Sequence, residues 1–508
     1  MKYLLEISKI VTKKKVKKIE IFDDHSLKQK NSKFNDFYGL LMDGALKDDQ
    51  EAATKLYNSN PTDDKYRQLK SRFKKRLLNT LFFLDVNQSA TSNYNRAYYC
   101  CHKDWTLVKI LLSNNAQQTG AQLARSIISI ALKFDFADIV VNAARILREH
   151  AMLEKNEKLY EEYNNLCQQY QIILTAEIES EEYYQRIVMN SLKSASKLQP
   201  FIPQFEKYCA RLLELSQLHS SPVIVYNYYI VSAHYYEMQN DYQNLYKICQ
   251  QAEQYIEENP RFYREDKLAE IASKKMLALL HLQDFAQGEI EAEKYLTIFE
   301  RNDVCMKLME YYLLLALHTQ NYSKAHRIFG RAYEDKRFKK LTSDEKEKWN
   351  AFEVYLCFLL WNNPEQSFER PKRYKQFRVK RFLEEPVIFP KNQRIFTVLL
   401  VIGQVLFLLK EERLGEAFER IERLKGYSNR LLKQEEHYRV TQFVRLLQQL
   451  AKAHFDYKNI GVHQKYLDRL ENKSLKYRGL IHELEIIPYQ NLWAIILKTI
   501  NSKTMFRS

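Results

Sequence analysis

From about residue 95 onward, apolar residues return every three or four positions, and short polar joints separate the runs. This spacing puts apolar side chains on one face of a helix, so the pattern predicts a succession of amphipathic helices. The joints also align with one another, because each has a polar turn, then one large residue, then a helical run. The large residues are Phe136, Tyr242, Phe285, Tyr322, Leu414 and Tyr457. Spacings near forty residues suit one helical hairpin per unit.

Within these units, small and large residues resemble a divergent tetratricopeptide-repeat array. The second helix of one unit has the small, large and small residues Ala325, Phe329 and Ala332. A further unit has Ala233 and Tyr236 in its first helix, Tyr242 at the turn and Ala252 in its second helix. Small residues allow two helices to approach while an aromatic ring fills the groove between them. Gly288 and Leu245 stand where alanine is expected. The resemblance covers residues 115–150 and 220–470, and it implies an all-α antiparallel helical-hairpin superhelix that binds a protein or peptide.

Two segments interrupt the hairpins. Residues 154–196 contain no Gly or Pro, which predicts one or two long helices. Residues 361–390 contain four prolines and a dense basic run, which predicts an insertion between hairpins. The most apolar run, Ile395 to Leu409, is short for a bilayer span and includes Gln404, so it predicts a buried helix.

Glycine and proline are scarce, with ten of each, against roughly 35 and 25 at average usage. Because glycine supplies positive-φ conformations, this scarcity predicts few turns that need them. The usual sequence motifs for phosphate, dinucleotide, zinc and acyl chemistry are missing. We therefore expect a protein that is not an enzyme and that has no cofactor and no metal site. Seven cysteines without a C-x-x-C pair favour a reducing compartment, so the expected location is cytoplasmic.

Positive charge is concentrated near the beginning of the chain. The formal net charge is +16, and residues 1–78 contain 19 Lys and Arg against 11 Asp and Glu, or +8. Residues 65–84 carry seven basic side chains and no acidic one. On a helix, the apolar stripe Tyr66, Leu69, Phe73, Leu77, Leu81 and Leu84 must pack, and the basic residues then face solvent. Like charges at neighbouring helical positions repel one another, and a polyanion would relieve that repulsion.

Upstream residues predict two further short helices, over 34–44 and 48–57. Three short helices with a basic third one resemble a helix-turn-helix domain, in which Ala52 and Ala53 match paired small residues of the second helix, although the turn 58–64 is longer than usual. The resemblance implies that Lys65, Arg67, Gln68 and Ser71 face base edges, and that Arg72, Lys74, Lys75 and Arg76 contact phosphates, with Lys70 at the edge of the stripe. An acidic protein partner and a merely solvated basic face remain alternatives.

Two other surfaces are candidates for binding. A second basic patch interleaves cations with aromatic residues that can stack on unpaired bases, and it comprises Arg370, Lys372, Arg373, Lys375, Arg378, Lys380 and Arg381. A mobile loop kept soluble by charge is the alternative interpretation. A tyrosine-rich run predicts a partner groove at Asn227, Tyr228, His234 and Tyr235, with ordinary hairpin packing as its alternative.

Together these patterns predict five regions. They are a basic helical domain over 1–92, a first helical-hairpin region with long helices over 93–219, a tetratricopeptide-like array over 220–360, a basic insertion over 361–392 and C-terminal helical hairpins over 393–508. The expected function is regulatory or adaptor: the array binds a protein or peptide, and the basic domain contacts DNA or RNA, with no membrane partner. A scaffold that binds only proteins is the alternative.

Overall fold

The computed structural model describes residues 4, 32–43, 45–46, 48–81, 93–191, 198–262, 264–362, 377–384, 394–431, 437–456, 459–475, 477–479 and 484–504. Within these ranges all regular secondary structure is helical, with 21 α-helices, two short 3-10 helices and no strand. The predicted all-α class is confirmed.

Contacts divide the chain into two compact units, Met1–Leu174 with Arg261–Arg264, and Thr175–Pro260 with Glu265–Ser508. The helices of the first unit are α1 (Lys33–Met42), α2 (Asp49–Tyr57), α3 (Asp64–Leu81), α4 (Asn93–Ser113), α5 (Gln117–Phe134) and α6 (Ala137–Leu153), together with the first part of α7 (Glu157–Ser191).

Among its described residues, the second unit contains the remainder of α7, two 3-10 turns at Gln199–Phe201 and Lys336–Lys340, and fourteen further α-helices. They are α8 (Ile202–Leu218), α9 (Pro222–Gln239), α10 (Tyr242–Glu258), α11 (Glu265–Leu282), α12 (Phe285–Ile298), α13 (Val304–His318), α14 (Tyr322–Glu334), α15 (Ser343–Asn362), α16 (Val379–Glu384), α17 (Arg394–Lys410), α18 (Leu414–Leu431), α19 (Tyr438–Lys452), α20 (His463–Glu471) and α21 (Tyr489–Thr504).

The joints between helices lie where the sequence predicts them. Tyr242, Phe285, Tyr322 and Leu414 are each the first residue of a helix, and Phe136 immediately precedes one. At two of these joints the preceding aspartate caps the new helix, with Asp241 accepting from the Asn244 backbone N–H at 3.1 Å and Asp284 from that of Gln287 at 3.0 Å. Tyr457 lies outside the described residues.

The prediction that positive-φ turns are scarce is wrong. Within the described part of the chain, ten residues other than glycine have positive φ, and most of them end a helix, such as Asn58, Asp135, Asn240 and Gln283. At a left-handed helix end, backbone N–H groups donate to carbonyl groups of the last turn that have no partner within the helix. Asparagine and aspartate tolerate the left-handed conformation better than most residues. The chain therefore makes its tight helical joints largely without glycine.

Helices adjacent in sequence pack as neighbouring pairs in both units. Most of the small and large positions predicted for the helical hairpins are buried: Ala325, Phe329 and Ala332 on α14 are at most 1% exposed, and Ala233 and Ala252 are fully buried, whereas Tyr236 is partly exposed. Apolar residues at these positions close the space between paired helices, which is the role that the sequence pattern gives them.

Both interrupting segments are partly described, the first over 154–191 and the second over 361–362 and 377–384, which includes α16. The predicted long helix is α7, which runs for 35 residues. The apolar run from Ile395 lies in α17, where Gln404 is 1% exposed and donates to the Phe382 carbonyl at 2.8 Å. The prediction of a buried helix is confirmed. Among the described residues, none of the helices combines the length and the apolar character needed to cross a bilayer.

Described residues that follow α20 contact helices of the second unit that lie far away in sequence. The side chain of His281 contacts the Tyr477 carbonyl at 2.6 Å, and that of His318 contacts the Glu485 carbonyl at 2.7 Å. Because a carbonyl only accepts, each imidazole must be protonated at Nε2 to donate. Arg439 on α19 pairs with Glu485 at 2.8 Å and thereby secures the same segment.

Candidate polyanion-binding surface

Local capping sets the positions of α2 and α3. Asp48 accepts from the Glu51 backbone N–H at 2.8 Å and so caps the beginning of α2, which ends at the left-handed residue Asn58. Asp63 accepts from the backbone N–H groups of Lys65 and Tyr66, at 2.8 and 3.3 Å. These aspartates accept hydrogen bonds from backbone N–H groups that have no acceptor within the helix at its N-terminus. The sequence therefore determines where the basic helix begins.

The apolar stripe of α3 is buried as predicted. Tyr66, Phe73 and Leu77 are at most 1% exposed, while Leu69 and Leu81 are partly buried against the same core. Leu84 lies outside the described residues. Ala52 and Ala53 on α2 are fully buried in this core, and Phe37 of α1 lies 4.8 Å from Phe73 between ring centres. Burial of the stripe fixes which face of α3 points outward.

The outward face carries the cations singled out from the sequence. Exposed side chains are Lys65, Arg67, Gln68, Ser71, Arg72, Lys74 and Lys75, whereas Lys70 and Arg76 are partly buried. The geometry of the predicted basic face is thus present, and binding to it remains a prediction.

Lys70 and Arg67 each have an acidic partner among the described residues. Lys70 pairs with Asp49 on α2 at 2.6 Å, and the Tyr66 hydroxyl donates to the same carboxylate at 2.7 Å. Partial burial alone would raise the pKa of Asp49, but the hydrogen bonds from Lys70 and Tyr66 lower it to about 2. Arg67 approaches Asp64 at 3.5 Å in an exposed pair, which contributes little in water. Arg76 lies over the Phe34 ring, 5.2 Å from its centre.

Three cations of α3 have no acidic partner among the described residues, namely Lys65, Arg72 and Lys75. Arg72 and Lys75 are three positions apart, so they are neighbours on the helix surface. Such like-charged neighbours destabilise a helix by about 0.2–0.5 kcal/mol per pair. The surface therefore keeps an unfavourable charge arrangement that a bound anion would relieve.

The second basic patch is only partly described. Arg370, Lys372, Arg373 and Lys375 lie outside the described residues. Arg378, Lys380 and Arg381 are exposed, the last two on the short helix α16. Leu383 anchors α16 with 3% exposure, and Arg420 on α18 donates to its carbonyl at 3.1 Å. These contacts hold α16 in the second unit.

The predicted partner groove is only half accessible. Asn227 is 4% exposed and donates to the Ser180 hydroxyl at 2.9 Å, and His234 is 6% exposed with the Lys274 ammonium 3.2 Å from its Nδ1. Both side chains are used inside the helical packing and are not available to a partner. Tyr228 and Tyr235 are partly exposed, and each lies beside a neighbouring tyrosine ring.

Two features of charged residues were not predicted from the sequence. Asp49 is 21 positions from Lys70, so local spacing contains no sign of their ion pair. Lys307 and Glu310 are the charged residues of the otherwise apolar helix α13, and both line an open cleft. Charges within so apolar a helix are a signal that could have drawn attention to this cleft.

Within the described residues, no group of three or more His, Cys, Asp or Glu has a geometry suited to a metal ion. No protein-family model matches this chain, and neither the curated proteins nor the solved structures compared with it include a match.

Proposed function

We propose that this chain is a non-enzymatic adaptor or regulator whose α3 face binds nucleic acid and whose helical hairpins receive a protein or peptide. In this proposal, α1–α3 act as a helix-turn-helix-like basic domain, and the hairpins form a tetratricopeptide-like superhelix. The sequence resemblances and the paired packing of adjacent helices support this finer description.

One observation carries the nucleic-acid part of the proposal. The apolar stripe of α3 is buried while Lys65, Arg72 and Lys75 are exposed and have no carboxylate partner within the described residues. Phosphates along a nucleic acid neutralise such cations and release bound counterions, which makes binding favourable and sensitive to salt. Direct contact with bases would come from the beginning of α3, as in other helices that enter the major groove.

The test is charge reversal on this face. Binding of the full chain to a fluorescent duplex DNA and to an RNA of the same sequence is measured by anisotropy across a salt series. We expect the variant Lys65→Glu, Arg72→Glu, Lys75→Glu to bind more weakly at every salt concentration. The slope of log K against log salt should flatten by about one for each phosphate that the variant no longer neutralises.

A matched control separates a local surface from net charge. The variant Lys158→Glu, Lys452→Glu, Lys465→Glu makes the same charge change at exposed lysines of α7, α19 and α20. It should keep nearly the affinity and slope of the unmodified chain. Equal weakening by the two variants would show that general attraction, and not the α3 face, causes binding.

The second candidate function is a protein scaffold in which the basic face docks an acidic protein. The same unpaired cations favour it, since electrostatic complementarity also guides protein association. Failure of the unmodified chain to bind either nucleic acid at low salt would favour the scaffold over the nucleic-acid adaptor.

Regulation is the most specific element of the proposal. A ligand of the hairpins should change nucleic-acid affinity, because two coupled sites must alter each other's affinities by the same factor. Titration of nucleic acid with and without a saturating hairpin ligand measures that factor. If the hairpin ligand leaves the nucleic-acid affinity unchanged, the regulatory role is refuted and only the adaptor role stands.

A further inference from the structure

An open cleft of about 360 Å³ lies in the second unit and is lined by residues of α13, α15 and the 3-10 turn at Lys336–Lys340. Its apolar lining includes Met306, Tyr311 and Trp349. Each of these three side chains is otherwise buried, at 5% exposure or less, so only a narrow strip of each faces the cleft and packing holds it in place. The lysines Lys307 and Lys340 also line the cleft, and both are exposed.

Three carboxylates near Lys307 are engaged by other groups. Glu237, Glu270 and Glu310 all lie near enough to favour its charged form. Glu237 pairs with Lys274, Glu270 accepts from the Tyr226 hydroxyl at 2.8 Å, and Glu310 pairs with Lys348 at 2.6 Å while also accepting from the Tyr477 hydroxyl. Each carboxylate is therefore satisfied without Lys307.

Lys307 and Lys340 themselves have no ion pair or hydrogen bond from their ammonium groups within the described chain. Lys307 lies only over the Tyr311 ring, 5.7 Å from its centre. Desolvation by the cleft walls and the nearby Lys274 ammonium lower the pKa of Lys307, in opposition to the three carboxylates. An anion placed beside these two lysines would supply the partner that the protein does not.

We propose that this cleft binds an anionic group, a carboxylate or a phosphate, carried on an apolar or aromatic body. Lys307 and Lys340 hold the anion, and the wall formed by Met306, Tyr311 and Trp349 contacts the body. A charge-assisted hydrogen bond fixes orientation, and the apolar wall selects for size and shape. This inference does not depend on nucleic-acid binding by α3, which belongs to the other unit.

Pyridoxal 5′-phosphate tests the site because it joins a phosphate and an aromatic ring to an aldehyde. In this probe Lys340 holds the phosphate, and the Lys307 amine, once deprotonated, adds to the aldehyde and loses water to form an imine. Borohydride then reduces the C=N bond to a stable secondary amine. Mass spectrometry of the digested full chain measures labelling at each lysine. We expect Lys307 to be labelled about tenfold faster than Lys465, an exposed lysine of α20 without an ion pair.

Competitors and variants define the chemistry of the site. Phenyl phosphate or 3-phenylpropionate should slow the labelling of Lys307, and the more effective of the two identifies the preferred anion. The neutral 3-phenylpropionamide should not slow it. Lys340→Gln should slow labelling of Lys307 about tenfold, and Lys465→Gln should leave it unchanged. The proposal is overturned if Lys307 reacts no faster than Lys465, if the amide protects as well as the acids, or if Lys340→Gln has no effect.

Discussion

Gly288 on α12 stands where the repeat resemblance expects alanine. Replacing it with alanine tests whether close packing of the helices requires glycine at this position. A Cβ atom added there would overlap Leu315 Cδ2 of α13 and lie 3.6 Å from its Cγ. Leu315 is fully buried, so its side chain has little room to turn away. Gly288→Ala therefore adds a methyl group to a filled space between two neighbouring helices.

Two opposing effects set the size of the change. Replacing glycine by alanine inside a helix stabilises it by about 0.5–1 kcal/mol. Overpacking a well-filled core costs about 1–3 kcal/mol. The packing effect is larger, so we expect Gly288→Ala to lower the free energy of unfolding by about 1–2 kcal/mol.

Gly426 on α18 provides the matched control, because an added Cβ there meets nothing within 4 Å. Gly426→Ala should raise stability by about 0.5–1 kcal/mol. Urea denaturation followed by far-UV circular dichroism measures both midpoints. In a Leu315→Ala background the obstructing atom is gone, and Gly288→Ala should then stabilise the chain. If Gly288→Ala raises the midpoint of the otherwise unmodified chain as Gly426→Ala does, the packing argument is refuted.

Three further predictions concern charged and titratable groups. Burial lowers the pKa of His281 to about 4 despite its hydrogen bond to a carbonyl, so its contribution to stability is complete above the unfolded value near 6.5 and is lost as pH falls toward 4. His281 by itself should account for about 2 kcal/mol of the fall in unfolding free energy from pH 7 to pH 5, and the fall should be smaller by that amount in His281→Gln. Lys275→Ala should cost about 3–5 kcal/mol because it leaves the buried Glu291 carboxylate without its cation and Glu253 with Lys294 alone. Arg331→Ala, which breaks an exposed pair, should cost under about 1 kcal/mol in the same urea assay. Asp49→Asn should free Lys70 and make the salt dependence of polyanion binding steeper by about one.

Each of these predictions has an outcome that contradicts it. An equal pH dependence in His281→Gln would assign the loss of stability to other groups. Similar costs for the Lys275 and Arg331 variants would mean that burial of the ion pair does not control its importance. An unchanged salt slope in Asp49→Asn would show that Lys70 takes no part in the binding surface, even when its intramolecular partner is removed.

The helices and their beginnings could be predicted from sequence because both depend on neighbouring residues. Apolar spacing indicated the all-α class, and the aligned joints placed the beginnings of α10, α12, α14 and α18. The prediction about positive-φ turns failed because it took glycine as the necessary residue. Asn240 and Gln283 fill that role here, and a single left-handed residue at the end of a helix is tolerated when it satisfies open carbonyl groups.

The sequence by itself determined the basic character of α3 and which of its faces is buried, since a helix of known period has one apolar stripe. Tertiary structure decided which charges remain unpaired. It brought Asp49 to Lys70, gave Lys348 to Glu310, left Lys307 without a partner and buried Asn227 and His234 among other helices. Ion pairs form between side chains that are close in space, and for residues on different helices that distance is set by packing and not by spacing along the chain.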